Sequence, residues 1–207
     1  PYIALIVSGG TTALYYARSY HDFSLLGRTR DDAAGEAFDK VARLLDLGYP
    51  GGPLVSSRAE KGNSSYLSLP RAWLNENSLD FSFSGLKTSV LNYCNNCKAS
   101  QRDIAVEDLC AAFEQAVVEV LVEKTILAAR STDIDNVVIG GGVSANKRLR
   151  FLMSQRCFEE GKKLYVPAPT NCTDNAAMIA FSGLKQFERG IQGSLIEDVF
   201  SRSNLGQ

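Results

Sequence analysis

Histidine is almost absent from this sequence of 207 residues, since only His21 occurs, in a polar stretch that predicts an exposed turn. Zinc peptidases with an HExxH helix and hydrolases with a histidine base are therefore disfavoured. Excess positive charge is also lacking, because 22 Lys and Arg stand against 23 Asp and Glu and give a net charge of −1. Binding of nucleic acid by bulk charge alone is not indicated, although a local basic patch is compatible with this composition.

Long apolar runs and a disulfide framework are missing as well. No apolar run reaches the roughly 18 residues of a membrane-spanning helix, and no signal peptide is expected, because the sequence opens on a predicted strand. The five cysteines are odd in number and irregularly spaced, which is untypical of a secreted disulfide scaffold. Cys94 and Cys97 form a CxxC, but no second pair completes a zinc site, so we expect reduced thiols.

The order of the predicted elements indicates an α/β protein. Apolar runs predict strands at 2–7, 14–17 and 23–29, and helical spacing begins at Asp32, with Asp31 and Asp32 as expected caps and Gly48 as the stop. The remaining predicted elements are a strand-like segment at 80–85, strands at 136–139 and 163–166, helices at 54–61, 86–93, 103–130, 145–161 and 173–190, and an irregular stretch at 62–77. A strand meander followed by alternating helices and strands predicts a mixed sheet flanked by helices.

Two glycine turns follow predicted strands. In the first, Ser8-Gly9-Gly10-Thr11-Thr12, the glycines allow backbone N–H groups to form an anion-binding nest, and the hydroxyls offer further donors. In the second, Gly140 to Gly142, the glycines allow a ring or ribose to approach the backbone, near the amide of Asn146. A plain hairpin turn and a capped helix start are the alternatives. Neither a Rossmann GxGxxG nor a P-loop occurs, and the two turns could hold a nucleotide from opposite sides of a cleft.

Two carboxylate patterns are further candidates. Asp32, Glu36 and Asp39 fall on one face of a helix that is small at Ala33, Ala34, Gly35 and Ala37, so they could accept hydrogen bonds from the hydroxyls of a ligand. A solvated acidic face is the alternative. Asp174 opens the last predicted helix and is either an N-terminal cap or a metal ligand.

Taken together, these motifs resemble the TsaD family, also called the glycoprotease family. The matching segments are SGG and TT at 8–12, DDAAGEAFDK at 31–40, YPGGP at 49–53, DFSFSGLKT at 80–88, GGVSAN with LR at 141–150, and CTDNAAMIA at 172–180. The resemblance implies the actin-like ATPase superfamily (ASKHA), with residues 1–207 as a C-terminal nucleotide-binding portion, one lobe plus part of the cleft. The N-terminal lobe is expected to be absent.

The resemblance also implies an activity: transfer of a threonylcarbamoyl group from threonylcarbamoyl-adenylate to N6 of the adenine beside the anticodon, in tRNAs reading codons that begin with A. By position, the implied contacts to ATP or the adenylate are Ile6, Val7, Ser8, Gly9, Gly10, Asp39, Gly52 and Asn146. Asp174 is implied as a ligand to one divalent iron or zinc ion, with the other ligands supplied by histidines of the absent lobe. We assign no general base.

The sequence departs from the family pattern at Thr11, where the family usually has histidine. With the upstream ligands also absent, we expect little or no transferase activity from this chain alone. Expected partners are tRNA and TsaB-like and TsaE-like proteins, or a second copy of this chain through its apolar helix at 103–130. The expected location is the cytoplasm or an organelle, with no membrane. The alternatives are a non-catalytic scaffold subunit and a sugar or acetate kinase relative, which lacks two of these motifs.

Overall fold

The computed structural model describes residues 1–73 and 77–194, and its centre is a five-stranded mixed sheet. The strands are β1 (Tyr2–Val7), β2 (Thr12–Ala17), β3 (Phe23–Arg28), β4 (Asn136–Gly140) and β5 (Lys163–Tyr165). Their order in the sheet is β3-β2-β1-β4-β5. The pairs β1–β2 and β2–β3 are antiparallel, whereas β1–β4 and β4–β5 are parallel. The predicted α/β class with a mixed sheet is confirmed.

Six α-helices flank this sheet in the described residues, and two short 3-10 helices occur at Gly142–Ala145 and Pro169–Asn171. The α-helices are α1 (Ala34–Leu44), α2 (Gly51–Ala59), α3 (Ser84–Ala99), α4 (Val106–Ser131), α5 (Lys147–Glu159) and α6 (Ala176–Phe187). Helix α2 begins three residues earlier than predicted, so its first residues belong to the YPGGP segment. Part of the irregular stretch predicted at 62–77, residues 74–76, lies outside the described residues, as do residues 195–207 of the predicted C-terminal portion.

Helix α4 runs through the core rather than along its surface. Its buried side chains cover most of the helix and leave one half-buried polar stripe at Gln115, Glu119 and Glu123. Phe113 packs edge to face against Phe38 of α1, with ring centroids 5.1 Å apart. A helix that is apolar over most of its circumference is expected at such a position. Its apolar residues are used inside the chain and give no support for association between copies.

Helix α6 has the opposite environment, because none of its residues is buried. Phe181 contacts Tyr20 edge to face, with ring centroids 5.6 Å apart, and Lys185 lies over the same tyrosine ring. Within residues 1–73 and 77–194, no helix is both long and apolar enough to cross a membrane. All five cysteines are free and buried, as expected for reduced thiols.

The segment 80–85 is not a strand, and the reason lies in Asp31. Only an isolated bridge joins Thr29 to Phe81, and α3 begins at Ser84. The carboxylate of Asp31 accepts hydrogen bonds from the backbone N–H groups of Phe83 and Ser84, at 2.8 and 3.3 Å, and from the hydroxyls of Ser82 and Ser84. Asp31 thus stabilises the start of α3, and the prediction that it caps α1 was wrong.

Candidate functional site

The two glycine turns stand side by side at one edge of the sheet. Strands β1 and β4 are parallel neighbours, with Ile6 opposite Gly140, so both strands end at the same edge. Gly141 then lies so close to Val7 that an added Cβ would overlap the Val7 carbonyl. The prediction that the turns face each other across a cleft was wrong, because the turns lie side by side at the ends of two neighbouring strands.

In the first turn, the hydroxyl of Ser8 occupies the centre of the predicted nest. Its oxygen accepts hydrogen bonds from the N–H groups of Thr11 and Gly10, at 3.1 and 3.4 Å. The Ser8 O–H is then left to donate outward. A Cβ added at Gly9 or Gly10 would have no described atom within 4 Å. The space in front of this turn is therefore open, and packing within the chain does not explain the glycines.

Helix α1 begins directly beneath the first turn. The N–H of Gly35 donates to the carbonyl of Ser8 at 3.1 Å, and a Cβ on Gly35 would stand 2.6 Å from that oxygen. The buried hydroxyl of Thr12 accepts from the N–H of Ala34 at 2.9 Å. Thr12 is thus the side chain that bonds the first turn of α1, instead of the phosphate donor that the sequence predicted, whereas Thr11 is exposed.

Asp39 connects α1 to the start of α2. One carboxylate oxygen accepts a hydrogen bond from the N–H of Gly51 at 2.8 Å, and a Cβ on Gly51 would stand 2.6 Å from the Asp39 Cα. Gly52 is half-buried, and a Cβ added there would have no described atom within 4 Å. Gly51 is therefore a glycine for packing reasons, whereas Gly52 borders open space next to the Asp39 carboxylate.

The other two carboxylates of the predicted acidic face share one cation, Lys40. Its ammonium lies 2.6 Å from Asp32 and 2.9 Å from Glu36. The hydrogen bond from Lys40 lowers the pKa of the Glu36 carboxyl. Of the three residues on this face, Asp39 is thus the one whose carboxylate is not engaged by a cation in the described structure.

Asn146 joins three elements at the end of the second turn. Its Oδ1 accepts from the N–H of Leu149 at 2.8 Å and so caps α5. Its Nδ2 donates to the hydroxyl of Ser56 on α2 at 2.9 Å and to the carboxylate of Glu114 on α4 at 2.6 Å. Neither Ser56 nor Glu114 was predicted as a site residue. The one available signal was an acidic residue within the apolar run of α4.

Asp174 is exposed and lies just after a segment that Arg150 holds in place. The Arg150 guanidinium donates to the carbonyls of Ser144 and Pro167, at 2.7 and 2.8 Å, and to the sulfur of Cys172. Asn175, not Asp174, caps α6, through a hydrogen bond from the N–H of Met178. These contacts tether the segment before Asp174 to the second glycine turn.

The described residues do not by themselves fit the metal ion that the resemblance implies. In residues 1–73 and 77–194, no three His, Cys, Asp or Glu side chains form a group that could hold a metal ion. A single carboxylate is too few ligands for a transition metal, since protein sites usually supply three or four. We therefore derive no chemical step through a metal here.

Four basic residues, Arg148, Arg150, Lys162 and Lys163, are candidates for a local basic patch, but two of them have internal roles. Arg150 is engaged as described above, and the Lys162 ammonium donates to the carbonyl of Ile134 at 2.9 Å. The guanidinium of Arg148 donates to Gln115 and lies over the ring of Phe151. Lys163 is exposed on the edge strand β5. These side chains thus differ in exposure and in how far their charges are already engaged.

The matching family model and the similar sequences belong to the same family. The family model "TsaD: tRNA N6-adenosine threonylcarbamoyltransferase" matches residues 1–181. The tRNA N6-adenosine threonylcarbamoyltransferase of Desulfotalea psychrophila is 54% identical over 209 aligned residues, covering 100% of this chain and 61% of the relative. The Bacillus subtilis protein of the same name is 50% identical over 94% of this chain and 56% of its own length. This chain therefore spans about three fifths of the length of these relatives.

Solved structures support the fold. HypF of T. kodakarensis superposes with a TM-score of 0.62 at 16% identity, covering 89% of this chain and 34% of HypF. Full-length HypF in its phosphate- and nucleotide-bound form gives a TM-score of 0.67 at 14% identity, covering 93% of this chain and 33% of that protein. Such low identities show a shared fold and nothing about function. By the family model and by its identity to named relatives, this chain belongs to the TsaD family of tRNA N6-adenosine threonylcarbamoyltransferases.

Proposed function

We propose that this chain is the nucleotide-binding portion of a tRNA threonylcarbamoyl transferase. Its ligand is threonylcarbamoyl-adenylate, or ATP in the same place, and the threonylcarbamoyl group passes to N6 of the adenine beside the anticodon, in tRNAs reading codons that begin with A. The observation that carries this proposal is the open space beside Gly9, Gly10, Gly52 and Gly142, where an added Cβ would meet no described atom. Glycines without a packing reason are expected where a ligand approaches the backbone.

The proposed contacts follow from the groups that remain available. Ile6 and Val7 present the end of β1, and Ser8 offers its O–H to the adenylate phosphate, beside Gly9 and Gly10. The free carboxylate oxygen of Asp39, next to Gly52, can accept from a hydroxyl of the ligand. The Oδ1 of Asn146 has a second lone pair for the adenosine portion.

The reaction is an acyl transfer from a mixed carbamic–phosphoric anhydride, with AMP as the leaving group. The amine nitrogen forms a bond to the carbamoyl carbon, and the bond between that carbon and the phosphate oxygen breaks, with its electron pair leaving on AMP. The amine loses one proton to solvent. Residues that hold the phosphate and the adenosine fix the position of the carbonyl, and such positioning is a large part of catalysis in acyl transfer. Asp174 is proposed as one ligand of a divalent iron or zinc ion.

We also propose an acceptor, protein partners and a location in the cell. tRNA is the acceptor, TsaB-like and TsaE-like proteins or an equivalent complex are the partners, and the cytoplasm or an organelle is the location. We propose self-association of the chain separately, and the apolar residues of α4 do not support it because they are buried within the chain. Because the chain spans about three fifths of its relatives, we also propose that it transfers little or no threonylcarbamoyl group on its own. A transfer rate near that of a full-length relative would contradict this.

Calorimetric titration with ATP and with a stable threonylcarbamoyl-adenylate analogue tests the proposal. Ser8→Ala and Asn146→Ser each remove one proposed contact, and serine at position 146 keeps a capping side chain for α5. Ser89→Ala is the control, because its hydroxyl bonds within α3 to the carbonyl of Gly85. We expect weaker binding in the first two variants only. Binding that is unchanged in all three variants would contradict the proposed site.

A non-catalytic scaffold subunit is the second candidate. It is favoured by the internal use of polar groups that the sequence assigned to a ligand, namely the Thr12 hydroxyl and both hydrogens of the Asn146 amide. A chain that folds cooperatively but binds neither ligand, while binding a TsaB-like protein, would support this candidate over the first.

A further inference from the structure

Glu114 is a buried carboxylate in an apolar part of α4. The residue is 8% exposed, and its neighbours Ala112, Phe113 and Ala116 are buried. In the described part of the chain, it forms no ion pair with Lys or Arg, and its oxygen accepts a hydrogen bond from the Asn146 amide at 2.6 Å. Burying a carboxylate is costly unless it is paired, and leucine would fill such a place at lower cost. The cost indicates that the carboxylate has a role beyond packing.

The contacts of Asn146 indicate which role. The backbone N–H of Leu149 requires the carbonyl oxygen of the amide on its side, and the carboxylate of Glu114, which only accepts, requires the NH2 group on the other. The Ser56 hydroxyl accepts from the second hydrogen of that NH2 group. Both Nδ2 hydrogens are therefore used, whereas Oδ1 accepts one hydrogen bond and has a second lone pair. Held in this way, the side chain can accept a hydrogen bond from a ligand but cannot donate one.

We infer that Glu114 is a positioning residue that, together with Ser56, orients Asn146 so that its Oδ1 accepts from a hydrogen-bond donor of the nucleotide. The donor is a ribose hydroxyl or the 6-amino group of adenine. Glu114 does not touch the ligand and acts through Asn146. This inference rests on the proposed nucleotide site, and it adds the residue that determines the polarity of the Asn146 contact.

Two substitutions at position 114 separate the hydrogen bond from the volume. Glu114→Gln keeps an oxygen that can accept from Asn146, whereas Glu114→Leu leaves the Nδ2 hydrogen without that acceptor. Calorimetric titration with ATP should give an affinity within about threefold of the unchanged chain for Glu114→Gln and a loss of about tenfold for Glu114→Leu, the size of one net hydrogen bond. Combining Glu114→Leu with Asn146→Ser should weaken binding no further than Asn146→Ser alone, because both changes act on one contact.

Nucleotide analogues provide a readout that a purely structural role would not change. The unchanged chain should bind one of 2′-deoxy-ATP, 3′-deoxy-ATP and ITP more weakly than ATP, and that analogue identifies the donor. Glu114→Leu should reduce this discrimination, and Glu114→Gln should keep it. Ser56→Ala removes one hydroxyl from a half-buried place and should reduce the discrimination in the same direction, even if Glu114→Leu does not fold.

The outcomes that overturn the inference are distinct. ATP affinity and discrimination that are unchanged in Glu114→Leu and Ser56→Ala, but lost in Asn146→Ser, would overturn the role of Glu114 and leave the proposed function standing. ATP binding that is absent from the unchanged chain, or unaffected by Asn146→Ser, would overturn both.

Discussion

Gly141 lies against the carbonyl of Val7, with φ at 90° and ψ at 166°, a conformation that is essentially restricted to glycine. This contact joins the end of β4 to the end of β1 and brings the second glycine turn beside the first. The proposed site therefore depends on the absence of one Cβ at a position that a ligand need not touch.

Gly141→Ala should lower the free energy of unfolding by about 2 kcal/mol or more, because it adds backbone strain and an overlap with Val7. Gly142→Ala is the matched control, since its Cβ would meet no described atom within 4 Å. Urea denaturation of both variants checks this. Equal stability of the two would show that the backbone at Gly141 adjusts freely.

Gly10→Ala should leave stability nearly unchanged and weaken ATP binding by about tenfold, since its Cβ would enter the space assigned to the nucleotide. Gly85→Ala, on α3, also adds a Cβ in open space and should leave ATP binding unchanged. Calorimetric titration of both variants measures the difference. A similar effect of both substitutions would argue against a ligand in front of the first turn.

Asp31→Asn should destabilise the fold near neutral pH by about 1–2 kcal/mol, because a neutral amide accepts weaker hydrogen bonds than a carboxylate and has one acceptor oxygen instead of two. Partial burial acts to raise the pKa of the Asp31 carboxyl, but hydrogen bonds from Ser82, Phe83 and Ser84 outweigh it and hold the pKa below 3.8. A carboxyl with a depressed folded-state pKa stabilises the fold above its unfolded value, and this contribution disappears as pH falls through the folded value.

The difference between Asp31→Asn and the unchanged chain should therefore be constant above about pH 5 and shrink below pH 4. Thermal unfolding across this range measures it. Asp22→Asn, which breaks an exposed ion pair with Arg18, should change stability by less than about 0.5 kcal/mol. A difference for Asp31→Asn that grows with acid would contradict the assignment.

Lys124→Met should destabilise the fold by about 2 kcal/mol or more, because it leaves two carbonyl groups without their charged donor. The Lys124 ammonium, on a residue 2% exposed, donates to the carbonyls of Trp73 and Ser78 at 2.9 and 2.7 Å. Lys147→Met is the control, since that side chain is 84% exposed and pairs with Glu60 on the surface. Denaturation midpoints that shift equally for both would refute the structural role of Lys124.

Backbone amides of α6 should exchange with solvent much faster than those of α4. A 12-residue helix without buried side chains has little tertiary stabilisation, whereas α4 lies within the core. Hydrogen exchange followed by NMR distinguishes the two helices directly. Comparable protection of both helices would mean that α6 is stabilised by contacts outside the described structure.

The local sequence pattern was sufficient to predict the strands and helices whose contacts are near in sequence. The meander of β1 to β3 and the strand–glycine–helix order around β4 were predicted because alternation, glycine and helical spacing act over a few residues. The motifs also indicated the family before any contact was known. Their spacing could not show whether Gly51 or Gly52 faced open space, because both glycines look alike in the sequence.

The hydrogen-bond partners of individual polar side chains were decided by the tertiary structure. Asp31 bonds to residues 51 to 53 positions away, and Asn146 bonds to Ser56, 90 positions away. The sequence by itself determined the family, the order of elements and the two glycine turns. Only the fold decided that the turns lie side by side, that Thr12 bonds α1, and that Glu114 orients Asn146. Hydrogen bonds act over about 3 Å, so their partners are fixed only when distant segments have packed together.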